Sequence, residues 1–380
     1  MPNFITSIAD NAFVGCSGLT ELIISNSVTS IGGTAFSGCE SLTKVTLPRK
    51  LKYIGEYAFF DCENLTSVTI PEGLTSIPEG LFSGCKSLIF VKISNSVTEI
   101  GDYAFSYCES LTSINIPSEV SSIGYGVFYG CSGLEAINVE EGSYYYVSSD
   151  GVVFGETDDG ISLVLYSNGK KDATYSVPEG IECINDDAFG DPQYLISLNI
   201  PSSVEYISDY YFIGCENLEA INVLGNSSSY SSVDGVLFNA DKTTIIKCPN
   251  GKTGAFTIPL SVTSIAFNAF NSYYSKLSAV NVAANHRSYT SIDGVLYNKD
   301  KSELLFCPGG KVGALTLPDS VTSIEYWTFG GCKGLTEINV SAAHKNYVSI
   351  DGVLYSKDKT ELLFCPSGKV GTLTLPDSAQ

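Results

Sequence analysis

A 23-residue beat constrains this chain more than any other property. "GCESLTKVTLP" at Gly38–Pro48 is followed 23 residues on by "DCENLTSVTIP", and 23 further by "GCKSLIFVKIS". Phenylalanine recurs at Phe13, Phe36, Phe59, Phe82, Phe105, Phe128, Phe189, Phe212, Phe270 and Phe329, and a leucine follows each six or seven residues later. After each leucine runs a stretch such as "LTKVTLP" or "LTSINIP", the apolar–polar alternation of a half-buried strand. An apolar pair spaced three apart comes next (Val28/Ile31, Leu51/Ile54, Val97/Ile100), and then "xxxAFxxC", in which Ala35, Phe36 and Cys39 would share one face of a helical turn. One such turn cannot bury its apolar side alone, so copies must stack. The expectation is a mostly β repeat solenoid: a right-handed parallel stack with a strand-lined face, short helical turns and, further along, inserted β-hairpins.

The beat changes after residue 139. An Asp-Gly pair recurs at Asp150, Asp234, Asp293 and Asp351, and in the last three copies a polar "NADKT", "NKDKS" or "SKDKT" leads to "IIKCP" or "LLFCP". Two apolar runs around a five-residue polar turn read as a β-hairpin, which lengthens the unit to about 58 residues. The chain thus divides into 1–139, regular repeats, and 140–380, hairpin-bearing repeats, with no linker and one continuous solenoid expected. One Asp per unit lacks the GGxGxDxUx pattern of calcium-binding β-rolls, so Asp-Gly reads as turn chemistry. "MPNFITSI" aligns with the internal "IPEGLTSI", and "LPDSAQ" breaks off where the copy at Leu317 continues "LPDSVTSI". Without the polar caps such stacks need, a piece trimmed from a longer protein with a signal peptide and an anchor is expected.

Charge and side-chain chemistry exclude several classes of function. With 21 Lys+Arg against 41 Asp+Glu, the net charge of −20 repels phosphate backbones and anionic lipid. No apolar run reaches the length of a membrane span. Eight of the 12 cysteines occupy one column, Cys16, Cys39, Cys62, Cys85, Cys108, Cys131, Cys215 and Cys332, which holds Pro192 and Tyr273 in other copies. A metal ligand or nucleophile would not be exchanged in this way, and no paired zinc spacing occurs, so reduced core thiols are expected, with disulfides between neighbouring turns as the rival. The two histidines, His286 and His344, share their slot with Ser143 and Ser227, which suggests exposed loop positions and leaves little for a hydrolytic triad. Asp158/Asp159 and Asp186/Asp187 sit beside turn signals and read as solvated loops. Neither catalysis nor a cofactor is expected.

The pattern "LxxIxIPxSVTxIgxxAFxxCxx" resembles the BspA-like leucine-rich repeats, over essentially the whole chain in ten copies. It departs from the commoner leucine-rich repeat in having no asparagine ladder at the "LxxLxLxxN" position. The resemblance implies a surface or secreted protein of the kind found in mucosal bacteria and some parasitic protists, associated with adhesion to host proteins or other cells.

Candidate partner contacts lie where a usually polar column turns apolar. The two residues after the repeat leucine are Ile89 and Phe90 in the fourth turn only, with Lys92 one strand step along. A mostly serine column holds Tyr53 and Tyr206, and a column just before the Ala-Phe pair holds Tyr57, Tyr103, Tyr210 and Trp327. Exposed aromatics serve as interface anchors, or else cover neighbouring turns. The expected function is noncatalytic binding of a protein or glycan ligand on a host or neighbouring cell, at the cell surface or outside it, with a monomer favoured. The alternative is an acidic spacer that holds another domain away from the surface.

Overall fold

The structure is a computed structural model describing residues 2–157, 160–208, 212, 214–271, 273–325, 327–373 and 375. Among them are short β-strands and turns and no helix. The chain forms two compact units, Met1–Leu195 with Ser203–Cys215, and Ile196–Ser202 with Glu216–Gln380.

In the first unit the 23-residue spacing becomes in-register parallel pairing. Strands Glu21–Ile23, Lys44–Thr46, Ser67–Thr69 and Phe90–Lys92 lie side by side. Glu21 faces Lys44, Lys44 faces Ser67, and Ser67 faces Phe90. Ser113–Ile116 and Ala136–Val139 pair in the same manner. Alternation turns Leu22, Val45, Val68 and Val91 into the core, each at most 6% exposed. Two-residue strands make further ladders, Ser7–Ile8, Ser30–Ile31 and Tyr53–Ile54 in one, and Ser76–Ile77, Glu99–Ile100 and Ser122–Ile123 in another.

The helical turn expected at "xxxAFxxC" does not form; in the regular turns the chain enters the left-handed region two residues before and two after each phenylalanine from Phe13 to Phe128. Thr34 and Gly38 have φ of 52° and 71°, Tyr57 and Asp61 55° and 53°, Gly80 and Gly84 58° and 77°, Tyr103 and Tyr107 53° and 56°, and Gly126 and Gly130 60° and 70°. A helix needs φ near −60° at every residue, so a sign change every fourth position leaves a run of turns. Their N–H groups are aimed at the next copy: Thr34 donates to the Glu56 carbonyl at 2.9 Å, Phe36 to Ala58 at 2.8 Å and Gly38 to Phe60 at 2.8 Å. Ala35, Phe36 and Cys39 still share an inward side and are fully buried. The rings of Phe13, Phe36, Phe59, Phe82, Phe105 and Phe128 stack in a column, with neighbouring centroids 5.0 to 5.9 Å apart.

A bulky residue in the left-handed region carries a strain of about 1 kcal/mol. Three tyrosines accept it because glycine stands at the matching place in the next turn. The rings of Tyr57, Tyr103 and Tyr107 occupy the space a Cβ would need on Gly80, Gly126 and Gly130. Tyrosine and glycine thus alternate along these columns for reasons of volume.

The long repeats contain a three-stranded antiparallel meander, one strand more than the expected hairpin. In the first unit it runs Tyr146–Ser149, Val152–Thr157 and Gly160–Tyr166. In the second unit it recurs as Tyr230–Val233, Val236–Asn239 and Thr244–Lys247, then as Tyr289–Ile292, Val295–Asn298 and Glu303–Phe306, then as Tyr347–Ile350, Val353–Ser356 and Leu362–Phe364. Each Asp-Gly is the turn between the first two strands, with both residues left-handed (φ 51° at Asp150 and 75° at Gly151), as a two-residue hairpin turn matched to strand twist requires. A lysine further along returns to it: Lys170 Nζ lies 2.6 Å from the Asp150 carboxylate, and Lys252 and Lys311 donate to the carbonyls of Asp234 and Asp293 at 2.6 and 2.9 Å. The last strand re-enters the parallel ladder, Ser162 facing Cys183, Thr244 facing Ser264 and Glu303 facing Ser323. There Phe306 stacks on Phe270 at 4.7 Å and Phe364 lies 4.6 Å from Phe329. Lys247 holds the corresponding slot of its own repeat, 1% exposed, with Nζ on the Asn268 carbonyl. Asp158 and Asp159 lie outside the described residues.

Candidate functional site: a tyrosine cleft and an apolar spot on the sheet

On the sheet of the first unit, Ile89 and Phe90 are each 57% exposed, and Lys92 projects from the same outer face as Phe90 while Val91 between them is buried. The residues in line with Phe90 are Ser67, Lys44 and Glu21, and Thr69 faces Lys92. Phe90 is therefore an apolar spot in a polar row. Tyr53 and Tyr57 come together elsewhere in a groove of about 360 Å³ with Asp10 and Glu56. The Tyr57 hydroxyl donates to the Glu79 carboxylate, which pushes its pKa up to about 12. In the second unit Trp327 is half-buried and meets the ring of Phe267 edge-on at 6.0 Å. Tyr210 lies outside the described residues.

The densest grouping of aromatic side chains has a backbone origin. In successive regular turns the N–H of Thr34, Tyr57, Gly80 and Tyr103 donates to the carbonyl of Glu56, Glu79, Asp102 and Tyr125. After Gly126 the meander intervenes, and the carboxylate of Asp187 comes close enough to the Gly126 N–H for that group to lower its pKa. Asp187 is half-buried and left-handed, φ 62°, in the same place relative to its phenylalanine as Gly126. Burial raises its pKa to about 6, against the lowering effect of the Gly126 N–H. Of the pair read as solvated, only Asp186 is exposed; Asp187 is half-buried and lines the cleft beside Phe189.

Around Asp187 a cleft of about 240 Å³ is lined by Tyr103, Tyr107, Tyr125, Tyr129 and Phe189. Tyr103 meets Tyr125 edge to face with centroids 5.5 Å apart, and Tyr107 meets Tyr129 in the same way at 5.5 Å. A second lobe of about 450 Å³ shares Tyr125 and Asp187 and carries Tyr206 on its wall. Tyr103 and Tyr206 thus line neighbouring clefts that share Tyr125 and Asp187. Sequence reasoning missed Tyr107, Tyr125, Tyr129 and Asp187; the available signal was tyrosine standing in columns that hold glycine, serine or a carboxylate in other copies.

The histidines are not exposed loop residues. His286 is 1% exposed and His344 fully buried. The Nδ1 atom of His286 accepts the N–H groups of Ser288 and Tyr289 at 3.2 Å, and that of His344 accepts those of Asn346 and Tyr347 at 3.3 and 3.2 Å. Ser143 and Ser227 Oγ accept the N–H of Tyr146 and Tyr230 in the corresponding turns. Serine and histidine interchange because both cap the same turn.

None of the twelve cysteines is in a disulfide, and all but Cys16 and Cys365 are buried. The thiols of Cys62, Cys85 and Cys108 donate to the carbonyls of Phe36, Phe59 and Phe82 at 3.3 Å. Burial pushes Cys62 and Cys248 up to about 12, far from the thiolate. Cys307 and Cys332 place their sulfurs 3.2 Å apart. Among the described residues no three His, Cys, Asp or Glu side chains could hold a metal ion, and no helix is long and apolar enough to cross a membrane.

Stacked parallel turns with leucine and phenylalanine columns define a leucine-rich-repeat protein. More narrowly, residues 5–145, 161–288 and 302–366 match the BspA type leucine rich repeat region in six copies, and the chain belongs to that family. It is similar, at 27% identity and a TM-score of 0.57, to a leucine rich cell surface protein from Faecalibacterium prausnitzii A2-165, over 89% of this chain and 83% of that one. The pneumococcal vaccine antigen PcpA shares the fold, with a TM-score of 0.59 at 19% identity over 90% of this chain and 80% of that one. No curated protein is significantly similar to the chain.

Proposed function

We propose that this protein is a noncatalytic binding module of the cell surface, adhesin-like, that presents its sheet to a protein or glycan on a host or neighbouring cell. The observation that carries the reading is the pair Ile89 and Phe90, 57% exposed in a row of otherwise polar strand residues. Membership of a family with cell-surface relatives supports the location. Apolar side chains held on a rigid sheet beside Lys92 can be desolvated by a partner with little loss of entropy, as interface anchors are. The net charge of −20 directs the choice of partner away from nucleic acid and anionic lipid.

The test is direct binding to a panel of extracellular-matrix proteins, mucin glycans and cell-surface proteins at physiological salt, with Phe90→Ser beside the parent. The expected result is a saturable interaction that weakens by about tenfold, roughly 1.4 kcal/mol, in the variant. Because Phe90 is exposed, the substitution should change folding stability by no more than about 0.5 kcal/mol. A hit insensitive to Phe90→Ser would move the contact off this spot, and silence across the panel would favour the spacer.

A further inference from the structure

We infer that the cleft between Tyr103, Tyr107, Tyr125, Tyr129 and Asp187 is a receptor for a single organic cation, the ammonium or guanidinium group of a lysine or arginine side chain on a partner protein. The inference rests on the binding reading above but on different residues from Phe90.

Four phenol rings and Phe189 surround a half-buried carboxylate in a space of about 240 Å³. That volume suits the end of one long side chain. The two edge-to-face pairs, Tyr103 with Tyr125 and Tyr107 with Tyr129, line this cleft, and the faces of such rings carry the negative side of the aromatic quadrupole. Lysine and arginine are absent from the described lining of both lobes, while Asp186 adds a second carboxylate at the wall of the larger one. The Asp187 carboxylate lies near the Gly126 N–H, which lowers its pKa against the effect of burial. At pH 7.4 it is ionised, since its pKa lies at about 6. A carboxylate without a basic neighbour, set among π faces on a protein of net charge −20, is complementary to a cation and gives a neutral ligand no matching advantage.

Tyr103 and Tyr107 serve packing as well, each filling the space above a glycine of the next turn. Tyr125 and Tyr129 are not placed over glycine in this way, and Tyr125 borders both lobes. Tyr125 and Asp187 are therefore the residues to change.

The experiment is a titration followed by saturation-transfer NMR at pH 7.4, with four probes: Nα-acetyl-lysine methylamide, Nα-acetyl-arginine methylamide, the uncharged norleucine counterpart, and methyl N-acetylglucosaminide. The parent chain, Asp187→Asn and Tyr125→Leu are compared. One ion pair and a few cation–π contacts correspond to affinities of about 1–10 mM for the isolated side chain. The expected result is saturable binding of at least one cationic probe, at least tenfold weaker binding of norleucine, and at least a fivefold loss in each variant. Asparagine tolerates the left-handed backbone and can still accept the Gly126 N–H, so Asp187→Asn should fold; if a variant does not, the lysine-to-norleucine ratio on the parent decides. The inference is overturned if norleucine binds as well as lysine, if neither cation saturates by about 50 mM, or if the sugar binds and Asp187→Asn leaves that binding intact. Phe90→Ser should leave the cationic probe unaffected, so a failed protein panel with a positive probe, or the reverse, separates the two readings.

Discussion

In the regular turns up to Val139, each copy supplies the polar partners of its neighbour. The N–H two residues before a phenylalanine finds the next copy's carbonyl, and the cysteine thiol finds the carbonyl of the phenylalanine in the copy before. Where a meander enters, those atoms are missing and side chains replace them. Asn168, 3% exposed, donates its amide to the Phe128 carbonyl at 2.7 Å, the contact that cysteines make elsewhere. Asp187 sits near the Gly126 N–H, in the place a carbonyl holds in the regular turns. The regular region thus satisfies its own backbone and leaves mostly polar residues outward on its strands. The interrupted region needs individual side chains, and the cleft lined by four tyrosines and Phe189 lies at that junction. In a repeat protein, the breaks in the repeat are where distinctive chemistry is to be sought.

Four experiments break or sharpen this contrast. The largest effect belongs to the self-satisfied region: Phe82→Ala removes a fully buried ring from the stacked column and should destabilise the first unit by about 4 kcal/mol in urea denaturation. Asn168→Leu keeps the branched shape, though larger, and leaves the Phe128 carbonyl and the Asp191 N–H without the amide, with an expected loss of about 2 kcal/mol. A loss below about 0.5 kcal/mol would show that the substitute contact is dispensable. Asp187→Asn should act in the opposite direction, and only at higher pH. The folded pKa of about 6 lies above the ordinary carboxylate value, so the folded state holds the proton more tightly. The favourable contribution is full below pH ~4 and is lost as pH rises through about 6. At pH 7 the variant should therefore be more stable than the parent by about 1 kcal/mol, allowing for solvent screening, with the two converging near pH 4. The mildest test leaves the protein intact: a thiol reagent applied to the native protein should modify Cys16 and Cys365 rapidly and the ten buried cysteines only on unfolding.

Much of the architecture was legible because it repeats. Register, inward columns and stacked strands follow from the positions of Leu, Ile, Val and Phe, and Asp-Gly was readable as turn chemistry from the residue pair alone. The helical turn was misread because Ala35, Phe36 and Cys39 have helical spacing, whereas the deciding quantity was the backbone sign at Thr34 and Gly38. Glycine hints at that sign, but Thr34, Tyr57 and Tyr103 in the same column obscure it. His286 and His344 were misplaced for a similar reason: exchange with serine was taken to mean solvent, when it meant a shared backbone acceptor role. The cleft escaped notice because Gly126 and Asp187 lie 61 residues apart in sequence, and only the folded meander brings them together.

The stacked phenylalanine column has a consequence for how such a chain evolves. From Phe13 to Phe128 the interval is 23 residues at every step, so excision or duplication of one interval rejoins a ring to a ring and a strand to a strand in register. Genes that encode tandem copies gain and lose them by unequal recombination, and in this region the folded product would tolerate the event. A change of length by one whole interval would therefore keep every column in register. The Gly126–Asp187 junction permits no such exchange, which makes it a fixed landmark in a molecule whose reach can otherwise change.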